Sequence, residues 1–208
     1  QFTEGADLVM PVDTTWTVTA GGEFKLEAAG TPWGTPAMND HPRIPAPYLR
    51  KEFMVEKKVK RATAYVTALG AYQLHLNGQR VGNDELTPGW TEFKKRVQYQ
   101  TYDVTAQVCS GKNALGAILG DGWYASYLAF TGKRNYYGGK PRLLAQLIIE
   151  YTDGSTQTVA TDADWKAAYG PIRHADLMIG CEYDTRLAMP VWDKAGFADA
   201  NWSQVNEG

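Results

Sequence analysis

Between Tyr48 and Thr161 the chain alternates apolar and polar residues in short runs, and turn-forming residues break those runs at close intervals. Period-two alternation puts successive side chains on opposite faces, the signature of a half-buried strand. Ala62 to Leu69 (ATAYVTAL) and Ala71 to Leu76 (AYQLHL) show it most clearly, and the second run enters the dipeptide Asn77-Gly78. Asn-Gly accepts the positive φ angles of a type I′ turn, so a hairpin is predicted there. Within that strand His75 must face away from Leu74 and Leu76. Val97 to Tyr102 (VQYQTY) alternates cleanly, Leu49 to Val55 (LRKEFMV) imperfectly, and Asn113 to Leu119 is apolar enough for a central strand. Leu143 to Tyr151 leads into a second turn at Asp153-Gly154 and returns along Thr156 to Thr161, while Ile172 to Ile179 predicts a further strand.

No segment sustains apolar positions at 3.6-residue spacing, so helices should be few and short. One helical turn is predicted near Val104 to Ser110, capped by Asp103 and ended by Gly111. Residues 1–47 read as a lead-in. Thr14 to Thr19 and Glu23 to Ala28 alternate on either side of Gly21-Gly22, which predicts a hairpin. Five prolines then crowd Thr31 to Pro47, where missing ladder donors favour irregular chain wrapped on a surface. Residues 48–208, with many short strands and regular Gly, Asn and Pro turns, predict an all-β, antiparallel jelly-roll β-sandwich. The polar ending Asp199 to Gly208 reads as an exit into a following domain.

Composition narrows the partners. Apolar residues make up 44% of the 208, enough for a sizeable core. Twenty-one Lys and Arg against 23 Asp and Glu leave a net charge of −2, which supplies no electrostatic reason for nucleic acid or an anionic membrane as partner. No run approaches the roughly 18 apolar residues that a membrane-spanning helix requires. The chain opens on Gln1 without a positive or apolar leader, as a processed or excised segment of an exported protein would. Cys109 and Cys181 have no metal-binding spacing and read as two buried thiols, with a disulfide as the alternative in an oxidising compartment.

Several motifs occur in a fixed order: Ala46 to Phe53 (APYLRKEF), Asn77-Gly78, Pro88-Gly89-Trp90, Asn113 to Tyr124 (NALGAILGDGWY), Tyr137-Gly138 and Gly180 to Arg186 (GCEYDTR), with Trp192 following. Together they resemble the N-terminal β-sandwich domain of bacterial α-L-rhamnosidases, the family 78 glycoside hydrolases, over roughly Tyr48 to Trp202. Cys181 departs from the pattern by standing between Gly180 and Glu182, where the family runs Gly-Glu. The resemblance implies a galactose-binding-domain-like jelly roll in a multidomain, exported bacterial hydrolase. It also implies an (α/α)6 catalytic barrel as partner in the same polypeptide. The family's catalytic carboxylates lie in that barrel, so no catalytic residue is carried over. Some members use a related sandwich to hold L-rhamnose with a calcium ion. No cofactor is required by this reading, and calcium is the one ion it leaves room for.

The long segment Asp121 to Tyr137 concentrates what a sugar site needs, aromatic faces for C–H surfaces and polar groups for hydroxyls. Trp123, Tyr124, Tyr136 and Tyr137 supply the faces; Asp121, Arg134 and Asn135 supply the polar groups. The competing reading packs Trp123 and Tyr124 into a buried strand and sets the tyrosines at a domain interface. Asn83, Asp84 and Glu85, after the hairpin, offer oxygens to a calcium ion, although no DxDxDG loop is present and an ordinary polar loop explains them equally. Glu182 and Asp184 could flank a scissile bond, since on a strand i and i+2 share a face. With Arg186 beside them they read better as a charge ladder or an interdomain contact. His41, His75 and His174 are scattered. Three functions follow: an accessory domain supporting a rhamnosidase barrel and touching rhamnose-bearing glycans, a carbohydrate-binding module for L-rhamnose, or a fragment with glycosidase activity of its own.

Overall fold

The strands that alternate are those with one face toward the core and one toward solvent, and in a computed structural model they build two antiparallel sheets. The structure describes residues 44–128 and 133–205, together with the backbone of β1 (Thr15–Val18) and β2 (Phe24–Glu27). β1 and β2 pair antiparallel, Thr15 opposite Glu27, as the alternation around Gly21-Gly22 predicts. The turn itself and most of the proline-rich segment lie outside the described residues. The chain divides into two units, and the larger, residues 43–128 and 133–208, carries the sandwich.

In the larger unit the six-stranded sheet contains β3 (Pro47–Val55), β5 (Ala71–Leu76), β6 (Gln79–Arg80), β8 (Gly111–Gly120), β11 (Lys166–Tyr169) and β14 (Ser203–Gln204), in the order β14-β11-β3-β8-β5-β6. The four-stranded sheet contains β4 (Val59–Leu69), β7 (Gln100–Asp103), β9 (Arg142–Tyr151) and β10 (Thr156–Ala160), in the order β10-β9-β4-β7. Leu74, Leu76, Leu115, Ala117 and Leu119 of the first sheet meet Ala64, Val66, Leu147 and Ile149 of the second in one core. A separate hairpin joins β12 (Ile172–Asp176) to β13 (Gly180–Tyr183). The predicted antiparallel jelly-roll sandwich is therefore the observed fold.

The Asn77-Gly78 turn has φ +52° and +83°, as a type I′ turn requires. The predicted helical turn is a 3-10 segment at Thr105–Gln107, and the Thr105 backbone N–H donates to Asp103 Oδ1 at 3.0 Å. Two expectations need correction. Cys109 and Cys181 are free and exposed rather than buried, because one sits in a turn ahead of β8 and the other on β13, all of whose residues are exposed. Trp123 and Tyr124 do not begin a strand; they lie in a single helical turn, α1 (Gly122–Ala125).

Residues 188–202 run across the outer face of the six-stranded sheet. Arg50 points out of that face and is fully buried there. Its Nε donates to the Trp192 carbonyl at 3.0 Å, and its terminal nitrogens donate to the Lys194 carbonyl at 3.0 Å, to Glu52 at 2.7 Å and to Asp199. The Trp192 ring lies over Gly116, where an added Cβ would come within 2.6 Å of it. On the far side His75 Nδ1 is 2.7 Å from Asp193 Oδ2, and His75 faces away from the core leucines Leu74 and Leu76 as expected. Covering on both faces explains why β3 and β8 do not alternate cleanly. Among the described residues no helix is long and apolar enough to cross a membrane.

Candidate functional site: an aromatic wall over a buried charge cluster

The exit from β8 is a tight turn. Gly122 has φ +52°, and a Cβ there would fall 2.4 Å from the Ala71 backbone nitrogen, so this position demands glycine. The turn sends Asp121 inward and leaves Trp123 and Tyr124 half-buried. Asp121 and Arg134 form a buried ion pair at 2.5 Å. Around them lie His174 and Asp176, also buried, and the ligand-type atoms of Asp121, His174 and Asp176 fall within 4.8 Å of one another. Asp176 accepts backbone N–H bonds from Tyr127 at 3.1 Å, Met178 at 2.8 Å and Ile179 at 3.2 Å. Burial pushes the Asp121 carboxyl above its usual range and the Asp176 charge adds to the rise; Arg134 and His174 oppose it.

This cluster holds three separate pieces of chain at one end of the sandwich. The Asp121 amide donates to the Ala175 carbonyl at 3.0 Å, and the Asn135 amide to Ala125 at 3.1 Å. Asn135 itself is exposed and adopts φ +60°, a left-handed conformation that Asn tolerates. Asp121 and Arg134 therefore pair inside the loop instead of standing at a rim, although Arg134 Nη1 has no hydrogen-bond partner among the described residues, and their geometry anchors the loop that carries the aromatics.

Outside the cluster the aromatic rings converge. Trp123 stacks on Trp90 with centroids 4.8 Å apart and planes 6° from parallel. Trp90 Nε1 donates to the Tyr137 hydroxyl at 3.2 Å, which fixes the ring plane. Phe93 packs edge-on against Tyr124 at 5.5 Å and tilted against Tyr137 at 5.0 Å, and Tyr136 meets Tyr137 edge-on at 4.8 Å. Phe93 is buried, so the group has a packed base. Trp90, at 52% exposure, and Tyr136, at 63%, form its open surface. Sequence reasoning placed Trp123, Tyr124, Tyr136 and Tyr137 together. It missed Trp90 and Phe93 as their partners, although Pro88-Gly89-Trp90 stood out as a corner.

The other sequence candidates lie elsewhere. Asn83, Asp84 and Glu85 are exposed, and Arg80 reaches across them: its guanidinium donates to Glu85 at 2.9 Å and to the Asp84 carbonyl at 2.6 Å. A calcium ion there would have to displace an arginine. The buried Asp121–His174–Asp176 group has the donor types a metal could use, but Arg134 and backbone N–H groups already engage both carboxylates. Its imidazole also suits a hard, oxygen-seeking ion such as calcium poorly. Neither group as placed forms a calcium cage.

Asp184 leaves β13 to cap a 3-10 turn at Thr185–Leu187, and Arg186 clasps its two oxygens at 2.8 and 2.7 Å. Those hydrogen bonds hold the Asp184 carboxyl down at about 2. A glycosidase acid needs the opposite shift. The strand-face ladder of Glu182, Asp184 and Arg186 expected from the sequence does not form, because β13 ends at Tyr183 and Asp184 and Arg186 pair within the 3-10 turn.

Comparison with known proteins fits this architecture. The profile of the α-L-rhamnosidase N-terminal domain matches residues 57–208. An α-L-rhamnosidase from Streptomyces avermitilis is 52% identical over 158 residues, 76% of this chain and 15% of that protein. One from Alteromonas sp. (strain LOR) is 44% identical over 160 residues, 76% of this chain and 17% of that protein. Among solved structures, Streptomyces avermitilis α-L-rhamnosidase complexed with L-rhamnose aligns with a TM-score of 0.78 at 45% identity, covering 90% of this chain and 18% of that one. Native α-L-rhamnosidase from Aspergillus terreus aligns at 0.76 and 36% identity, covering 81% and 21%. The chain thus spans about 15–17% of the length of the curated relatives it matches.

Proposed function

We propose, from the premise that the chain belongs to the α-L-rhamnosidase N-terminal domain family, that it serves a longer α-L-rhamnosidase as a non-catalytic accessory domain and holds rhamnose-bearing glycan on its aromatic wall. The observation that carries the reading is the parallel Trp90–Trp123 pair, locked by Tyr137 and open on the Trp90 side. A flat, fixed, half-exposed indole is the surface on which a pyranose can lay its C–H face, because burying that face against a ring already in place requires little further ordering. Tyr136 and Asn135, both exposed, lie in the adjoining loop and offer a hydroxyl and an amide to sugar hydroxyls.

The non-catalytic half of the proposal is supported by the state of Asp184. A carboxyl clasped by an arginine and held near 2 is a poor proton donor to a leaving glycoside oxygen. The reacting carboxylates are then expected in the polypeptide beyond this segment, in the helical barrel that the family resemblance implies.

Calorimetric titration with L-rhamnose, with and without calcium, tests the binding half. Trp90→Ala should weaken binding by about ten- to a hundredfold, the loss of an anchor worth roughly 1–3 kcal/mol. Because Trp90 is half-exposed and packs on the wall rather than in the core, its melting curve should stay within a few degrees of the parent's. A folded Trp90→Ala chain that binds rhamnose as tightly as the parent removes the wall as the site.

A further inference from the structure

The four-stranded sheet presents an outer face that divides in two. Its outward residues at one end, Arg61, Asp103 and Glu150, are charged; Arg61 pairs across the ladder with Glu150, as any solvated sheet surface would. At the other end the outward row includes Tyr65, Gln146, Thr67 and Leu144, with Tyr99 and Val97 alongside, and they line a groove of about 900 Å³. Tyr99 and Leu144 are each 64% exposed, and Tyr65 and Tyr99 pair at 6.3 Å without closing over the strand. Among the described residues Arg142 is the single charged side chain lining the groove. A contiguous apolar groove with tyrosine rims marks an interface in a soluble protein, and it lacks the charge that a hydrated surface carries.

Its position says what covers it. A second cavity, of about 660 Å³, shares Arg142, Leu143 and Leu144 with the groove and is also lined by Val205. Val205 is held there, its N–H donating to the Trp165 carbonyl at 3.1 Å. The chain therefore leaves the sheet at the mouth of a depression that runs on into the groove. In the relatives more than four-fifths of the polypeptide lies outside the matched segment.

We infer that the Tyr65–Tyr99–Leu144 groove is the docking surface for the polypeptide that follows residue 208 in the intact rhamnosidase, packed through an aliphatic, charge-poor surface. The inference rests on the reading of the chain as an accessory domain. It fails at Tyr65 and Tyr99, whereas the sugar-binding reading fails at Trp90, so the two are separable.

Hydroxyl-radical footprinting of the full-length polypeptide, together with a version lacking residues 1–43, decides it. Tyr136, Tyr169 and Tyr183, all exposed here, serve as internal references. In both proteins Tyr65 and Tyr99 should be oxidised about fivefold or more slowly than those reference tyrosines, since burial in an interface core removes most of the reactive area. The protection should be independent of protein concentration, and Leu144→Asp should weaken it. Oxidation at the reference rate would overturn the inference. So would protection that disappears without residues 1–43, which would make the lead-in the occupant, or protection that rises with concentration alongside a dimer mass, which would make it a second copy.

Discussion

The outer faces of the two sheets start from the same kind of strand and end in opposite states. On the six-stranded sheet the outward row includes Tyr48, Arg50, Gly116 and His75, and residues 188–202 cover it with Trp192, Phe197 and Trp202. On the four-stranded sheet the outward row includes Tyr65, Thr67 and Leu144, and no described residue seals it. The covered face is more polar than the groove end of the other sheet's outer face. It can be buried because each charge brought inside meets a partner: Arg50 finds Glu52, Asp199 and two carbonyls, and His75 finds Asp193. The groove end of the four-stranded sheet's outer face is the more apolar, with Arg142 its one charged lining residue among those described. Burial on the outside of a sheet is thus set by what the rest of the chain brings to it, not by how apolar the strand is.

The sharpest way to break this comparison is Arg50→Ala. It leaves Asp199, Glu52 and two carbonyls without their common donor under the strap, so stability should fall by about 3–5 kcal/mol, the range for removing one partner of a buried charge network. Denaturant unfolding measures it, and a loss below about 1 kcal/mol would mean that the strap is not held by Arg50. A smaller loss is expected from Gly116→Val, which drives a side chain into the Trp192 ring; overpacking of this kind costs roughly 1–3 kcal/mol.

On the bare face the expectation reverses. Leu144→Asp in the 208-residue chain should change stability by no more than about 0.5 kcal/mol, as for an ordinary surface position. A large loss would show that the groove is already filled within this chain.

The smallest effect is a pH dependence. The Asp184 carboxyl lies below its ordinary value of 3.8, at about 2, because Arg186 and the Arg186 backbone N–H stabilise its charge. A carboxyl lowered in the folded state adds stability that is complete above 3.8 and is lost as pH falls through about 2. Arg186, the partner in the pair, is 86% exposed, so solvent screening makes this a slight steepening of the acid limb. Asp184→Asn should flatten that limb while leaving melting at neutral pH nearly unchanged.

Where one face of a strand met the core, the fold was legible. Ala62 to Leu69 and Ala71 to Leu76 alternated because solvent and core impose opposite preferences on neighbouring positions. β3 was blurred because Tyr48 and Arg50 are buried on its outer side by residues far along the chain. β11 was not foreseen: Lys166–Tyr169 has no alternation of its own and becomes a strand by pairing with β3 and β14. In the candidate site Trp123 and the tyrosines were visible as a cluster of aromatics within one loop. The stacking of Trp123 on Trp90, the enclosure of Asp121 with Arg134, and the approach of His174 to both aspartates are contacts between segments distant in sequence. No local pattern encodes them. The exposure of Cys109 and Cys181 escaped for a related reason, since a cysteine's apolar character says nothing about whether its strand is covered.

We propose that this segment supports rhamnoside hydrolysis without performing it, and an assay of the purified 208-residue chain against an aryl α-L-rhamnoside decides the matter. The expected result is no turnover above buffer at any pH, with the Glu182→Gln and Asp184→Asn variants indistinguishable from the parent. Turnover that persists through purification and disappears in either variant would contradict the account.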